Sequence, residues 1–295
     1  MSGMSAMSEE TFTRHRGLLF TIAYEMLGSL TDAEDVVQET WLRWSGADHE
    51  EIRDPRAYLV RIVTRQALNR LRTLARRRED YVGDWLPEPL VTSDDVAADV
   101  ELAEGVSLAM LTVLETLTPA ERAVFVLREV FDTPYEEIAR AVDKSPAAVR
   151  QIAHRARDHV ADRRPRMVVT AAEQQEVVER FLQAIRGGDL DGLLAVLAPD
   201  VVAITDGGGI VPAGRGPVHG ALRVARFFIA TANTGRFVAS AVSLNGSPGT
   251  RIDTDAGIDS ALGFAIEGGR ITRIYAIRNP NKLAGLDGVA TLTRN

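Results

Sequence analysis

The chain has 295 residues, 45% of them apolar and 25% charged, with a formal net charge of −7 and no cysteine. That length exceeds one ordinary domain and predicts two or three units, each able to bury a core. The missing cysteines exclude disulfide frameworks, thiol nucleophiles and cysteine zinc sites, and no apolar run approaches a membrane span.

The N-terminus lacks a basic segment followed by an apolar one, so no signal peptide is expected, and Met1, Met4 and Met7 leave the start codon open. Residues 10–78 carry apolar side chains at helical spacing and read as a helical bundle. Within it, Thr31 and Glu34 have the spacing of a capping box, and Val37, Trp41 and Trp44 share one helix face. Asp32, Asp35 and Glu39 share another face, with Gln38 beside them, which on its own is a solvated acidic surface. The next helix starts at Asp54-Pro55 and sets Arg61, Arg65 and Arg72 on one face near Asn69.

Charge is segregated along the chain. Residues 53–78 hold nine arginines against one acid, residues 79–105 hold nine acids and no base, and from 170 onward 12 acids balance 12 bases. An arginine face without compensating acids repels itself unless a polyanion is near, so the net acidity does not exclude local contact with nucleic acid. A chain built this way would bind DNA poorly alone, as suits a subunit that needs a partner.

Residues 79–105, with Pro87 and Pro89, read as an acidic extended linker with a short helix toward its end. Over 106–165, Thr118-Pro119, Thr133-Pro134 and Ser145-Pro146 mark three helix starts after a leading helix. The last two helices, joined by a short turn at Asp143-Lys144, form a helix-turn-helix. In its second helix Val149, Ile152, Ala153, Ala156 and Val160 make the buried stripe. Ala147, Arg150, Gln151, His154 and Arg155 then face outward, as phosphate and base-edge contacts require.

After Arg166 glycine becomes frequent and β-branched runs alternate in period two, so 170–295 reads as a separate α+β domain. Its helices are expected near 172–186, 190–197 and 221–231, and Glu267-Gly268-Gly269 as a hairpin turn.

Asp-Ala-Glu-Asp-Val-Val-Gln-Glu from Asp32, the arginine helix and the helix-turn-helix resemble regions 2 and 4 of extracytoplasmic-function RNA polymerase sigma factors, in the family's order. Tyr81-Val-Gly-Asp-Trp-Leu-Pro-Glu-Pro-Leu90, Asp206-Gly-Gly-Gly209 and Asn279-Pro-Asn-Lys-Leu283 resemble signatures of the group with a SnoaL-like C-terminal extension. Asp84 stands where that group commonly has proline, and Asn281 where it has aspartate, which bears on the linker's stiffness and the terminal contact's charge.

The resemblance implies two all-α sigma domains, at 8–78 and 106–165, joined by the linker at 79–105, with a SnoaL-like (NTF2-like) α+β cone at 170–295. It implies core RNA polymerase as partner, through β′ clamp helices docking on Asp32, Asp35, Gln38 and Glu39 and through the β flap. Promoter DNA would be opened by Arg61, Arg65, Asn69 and Arg72 and read at −35 by Ala147, Arg150, Gln151, His154 and Arg155. No cofactor, metal, membrane partner or catalytic residue is expected, although the cone would enclose a pocket able to take a small molecule.

Two functions follow: a sigma factor tuned in cis by the cone, or a DNA-binding protein fused to an active cyclase-like or hydrolase-like enzyme using Asp206. Asp206-Gly207-Gly208-Gly209 reads equally as a hairpin turn, and Asn279-Pro280 as a strand stop. Trp85, flanked by Leu86 and Pro87, calls for a docking surface. We expect that surface near Asp206 to Gly209 and Asn279, Pro280, Lys282 and Leu283, where docking would set the linker's path between the two DNA-reading blocks.

Overall fold

A computed structural model describes residues 2–163, 170–214, 216–232 and 236–294. The expected boundary near Arg166 and the first candidate start, Met1, lie outside the described residues. The chain divides into two compact units: Met1–Glu79 with Leu111–Arg163 and Thr291–Asn295, and Asp80–Met110 with Arg164–Ala290.

The first unit is helical. Helices α1 (Ser2–Leu27), α2 (Leu30–Ser45) and α3 (Pro55–Glu79) pack around fully buried Leu18, Ile22, Ala33, Leu59 and Val63. The capping box expected at Thr31 and Glu34 is not formed. Gly28 turns the chain at φ 67°, Ser29 caps α2 by accepting from the Asp32 amide, and Glu34 pairs with Arg16 at 2.6 Å. Leu30 therefore already lies inside the helix. Trp44 is buried and donates to the Ser8 carbonyl at 2.8 Å, whereas Trp41 on the expected seam stays half-buried against Phe12.

Further helices of this unit are α7 (Pro119–Phe125), α8 (Tyr135–Val142) and α9 (Pro146–Ala161). Thr118 and Glu121 form a reciprocal capping box, and Ser145 caps α9. A π-helical turn, Val126–Val130, follows α7. Thr133 caps nothing; Pro134 itself is the residue before α8, in an extended conformation that proline's fixed φ favours. Asp143, at φ 56°, closes α8 in the left-handed conformation open to aspartate, and α9 buries the five residues of its apolar stripe. Thr291–Asn295 groups with this unit and not with the second: the Thr293 amide donates to Thr21 Oγ1 at 3.0 Å.

The second unit is built on an eight-stranded sheet of order β3-β2-β7-β6-β5-β4-β1-β8. Its long strands are β2 (Leu197–Asp206), β4 (Val238–Leu244), β5 (Ser247–Thr254), β6 (Gly257–Glu267) and β7 (Arg270–Ile277). The short ones are β1 (Val91–Thr92), β3 (Val218–His219) and β8 (Val289–Ala290). One face carries α10 (Ala171–Gly187), α11 (Leu190–Val196) and α12 (Ala221–Ala232) over a core that includes Val178, Phe181, Leu193, Ala203, Val224 and Ile274.

The other face is covered by the segment expected to be a linker. Residues 79–105 do not run free: β1 pairs antiparallel with β4 and parallel with β8, and α4 (Asp94–Ala98), α5 (Val100–Val106) and α6 (Leu108–Leu114) follow. Leu86, Leu108 and Ala109 share a core with Leu244, Tyr275, Ile277, Leu283 and Leu286. Of the acids that make this stretch look solvated, Asp80, Asp95 and Glu101 are exposed and Asp84, Glu88, Asp99 and Glu104 half-buried, while Leu86, Leu90 and Leu102 between them are buried. The unit boundary falls inside α6.

Candidate functional site

The residues singled out in the sequence fall into three groups. On α2, Asp32 meets Arg70 Nε of α3 at 2.9 Å, Asp35 pairs with Arg70 Nη2, and Glu39 accepts from Gln66 at 2.6 Å. Gln38 is exposed. The acidic face is therefore tied to the arginine helix rather than bare, which lowers the self-repulsion of both.

The arginine face of α3 is only partly open. The Arg61 guanidinium lies 5.1 Å from the Tyr58 ring centre, and Asn69 accepts from Arg72 at 3.3 Å. Arg65 reaches the C-terminal end of α8, donating to the carbonyls of Arg140 at 3.1 Å and Ala141 at 3.4 Å. A guanidinium at a helix C-terminus satisfies carbonyls that have no partner within the helix. On α9, Ala147, Arg150, Gln151, His154 and Arg155 are all exposed on one face. Arg150 pairs with Glu136 at 3.2 Å, and His154 Nδ1 with Asp158 at 2.7 Å, contacts that exposed side chains exchange at little cost.

The third group lies on the linker-covered face of the sheet and is centred on Asp206, the last residue of β2, which has no exposed surface. One carboxylate oxygen accepts from the Tyr81 hydroxyl at 2.6 Å and the Gly208 amide at 3.0 Å. The other accepts from the Leu86 amide at 2.9 Å and from Lys282 Nζ at 2.7 Å. Lys282 also donates to the Leu86 carbonyl at 2.6 Å, and its ammonium sits 4.1 Å from the Trp85 ring centre and 4.9 Å from that of Tyr81. Asn279 donates to the Tyr81 hydroxyl at 2.8 Å and holds the Pro280–Lys282 turn by accepting from the Asn281 amide. A buried ion pair is tolerable only when its remaining hydrogen-bonding capacity is used, and here it is. Burial, then the adjacent Asp206 carboxylate, push the Tyr81 phenol above its ordinary value, and the same two causes raise Asp84.

The glycines of this cluster allow close approach. Gly208 has φ 61°, and a Cβ there would stand 2.3 Å from Asn279 Nδ2; Gly209 has φ 70° and faces Val82; a Cβ on Gly207 would strike the Val211 carbonyl. Pro87 and Leu283 are buried, Leu86 is 1% exposed, and Trp85 is half-buried, so the deeper apolar anchor is the leucine. Asn281 is exposed and contributes its backbone amide, not its side chain, to the turn.

Among the described residues no helix is long and apolar enough to cross a membrane, and no three His, Cys, Asp or Glu side chains converge as a metal site. Asp253 pairs with Arg251 and Asp259 with Arg278, so the strand acids do not gather around one centre.

Comparison with known proteins decides what these groups belong to. Sigma-70 region 2 matches residues 11–77, and Sigma-70 region 4 matches residues 107–160. The ECF RNA polymerase sigma factor SigJ of Mycobacterium tuberculosis is 37% identical over 295 residues, covering 95% of this chain and 94% of SigJ. The chain belongs to the extracytoplasmic-function sigma factors. SigI of the same species is 35% identical over 91% of the chain. The crystal structure of M. tuberculosis SigJ superposes with a TM-score of 0.73 at 33% identity, covering 94% of this chain and 98% of that one. The sigma factor thus has region 2 and region 4 helical domains, followed by a C-terminal α+β domain that lies within the stretch matched to SigJ.

Several of this sigma factor's contacts escaped sequence reasoning. Tyr81 was read as part of a motif without a role. Asn245, fully buried in the β4–β5 turn, accepts from the Leu90 amide and donates to the Val106 carbonyl, both at 2.9 Å. Its signal was available: Asn245-Gly246, at φ 53° and 73°, is a two-residue hairpin turn, and a glycine is also needed because a Cβ at 246 would lie 2.7 Å from Ala103 Cα. Arg70, which organises the α2 face, gave no signal of its own among nine arginines.

Proposed function

We propose that this sigma factor, working in the cytoplasm, is regulated in cis by its SnoaL-like domain through the grip of that domain on the linker. The α2 face engages the β′ clamp helices of core polymerase, the α7–α9 block engages the β flap, and α3 and α9 contact promoter DNA. Residues 80–110 join α3 to α7, so whatever fixes their path fixes the reach between the two promoter-reading blocks. The observation that carries this reading is the Asp206 cluster, in which four donors converge on one carboxylate and two of them, Tyr81 and the Leu86 amide, come from the linker.

The same geometry argues for regulation over catalysis. A general base needs a free lone pair facing a substrate, and Asp206 has both oxygens doubly engaged on the linker side of the sheet. Run-off transcription with purified core polymerase tests the proposal. Lys282→Met and Trp85→Ala should shift promoter output in the same direction, and the double variant should differ from the sum of the two effects. Strictly additive effects, or output equal to wild type in both, would contradict it.

A further inference from the structure

The helix-covered face of the same sheet encloses a cavity of about 620 Å³, inside the size range of small-molecule sites. Leu182, Phe227, Phe228, Phe237, Ile252 and Leu262 line it. Apolar walls of this extent gain nothing from water, so the cavity favours an apolar occupant.

Its polar groups are few and unequal in charge. Asp259 is matched by Arg278 at 2.8 Å, while Arg236, exposed at the rim, has no ion pair among the described residues. Arg278 also donates to the Pro212 carbonyl at 2.7 Å, yet its Nε is buried with no acceptor. One surplus cation and one idle buried donor call for an anionic acceptor; a neutral occupant would leave the surplus charge unmatched and a cationic one would be repelled.

The cavity is also wired to the linker by strand geometry. Side chains alternate across a sheet, so Thr205 and Arg278 line the cavity while their neighbours Asp206 and Asn279 sit in the linker cluster on the other face. The amides of Arg278 and Asn279 both donate to the Asp206 carbonyl, at 2.7 and 2.9 Å.

From this we infer that the cavity is a receptor site for a largely apolar molecule bearing a single carboxylate, whose acid group is taken by Arg236 and Arg278 and whose arrival is relayed through β2 and β7 to the Asp206 cluster. The relay rests on the regulatory reading above; the site itself does not.

Titration calorimetry of the full chain with decanoate and with 1-decanol tests the site. Decanoate should bind saturably, one per chain and about tenfold or more tighter than the alcohol, the margin a charge-assisted hydrogen bond supplies. Arg236→Gln should bring the acid down to the level of the alcohol, and Ala230→Trp, which fills the cavity from α12, should abolish both. Equal binding of acid and alcohol, or decanoate binding untouched by both variants, would overturn the site. Tryptophan emission, read as the difference from Trp85→Phe, should change as decanoate saturates. Saturable binding with no such change would overturn the relay, whatever the transcription assay says of the linker's role.

Discussion

Each unit of the molecule buries a charged pair, and the two are completed differently. In the first, Arg122 is fully buried, pairs with Glu115 and donates through Nε to the Glu25 carbonyl at 3.0 Å. The Glu25 carboxylate beside it is wholly buried, and its two oxygens find no hydrogen-bond partner among the described residues. Burial pushes Glu25 up to about 8, against the opposing pull of Arg122 and Arg294. In the second unit, the Asp206 carboxylate is equally buried but has four donors, one of them a lysine. The contrast separates a charge the fold carries at a cost from one the fold is assembled around. The first neutralises itself by holding a proton, whereas the second organises chain segments as far apart as Tyr81 and Lys282.

The largest effect expected from this contrast is at Lys282. Lys282→Met strands a buried carboxylate and should cost the second unit about 3–5 kcal/mol, measured by denaturant unfolding. Asp206→Leu combined with Lys282→Met should recover much of that loss, because no charge is then left unpaired. If the double variant is as unstable as the single, the cluster is not held by the pair.

Glu25 should behave in the opposite sense. Its folded-state value lies above the ordinary glutamate value of 4.5, so the stability it lends is complete below that pH and is lost as pH rises through about 8. Glu25→Gln should therefore stabilise the first unit at pH 8, by an amount on the order of a few kcal/mol, and flatten its stability between those two values. A variant that is less stable than wild type at pH 8 would mean that Glu25 is paired after all.

Smaller still is the difference between two glycines of similar conformation. Gly268 has φ 54° and open space around it, so Gly268→Ala should cost about 1 kcal/mol, the ordinary penalty of a left-handed alanine. Gly208→Ala meets Asn279 as well, and should cost more while also shifting Trp85 emission. Equal costs and an unmoved spectrum would show that Asn279 yields freely, and that the Asp206 cluster is looser than its distances suggest.

Much of the fold was legible because local rules suffice for it. The stripe of α9, the Ser145 cap and the Glu267-Gly268-Gly269 turn depend on residues within one or two helical turns or one hairpin. The need of Trp85 and Leu86 for a partner was equally visible, since an apolar pair just ahead of Pro87 and Pro89 is costly in water. What was hidden is what depends on distant partners. Nine acids disguised the buried Leu86, Leu90 and Leu102 as parts of a solvated linker, and period two cannot be read from a two-residue strand such as Val91–Thr92. The pairing of Arg70 with Asp32 and Asp35 joins residues more than thirty apart, and no spacing rule distinguishes Arg70 from its neighbours. Ser29 displaced Thr31 as the α2 cap because the positive φ of Gly28 starts the helix earlier.

A grip that regulates the sigma factor has to change with its state, so the proposed regulation requires that the linker, held at Asp206 in the free chain, be rearranged when core polymerase binds. Amide hydrogen exchange of the peptide spanning residues 81–92 tests it most directly, since the Leu86 and Leu90 amides donate to Asp206 and Asn245. Exchange should be slow in the free chain, fast in Lys282→Met, and fast in the wild-type holoenzyme. Protection in the holoenzyme equal to that in the free chain would contradict it.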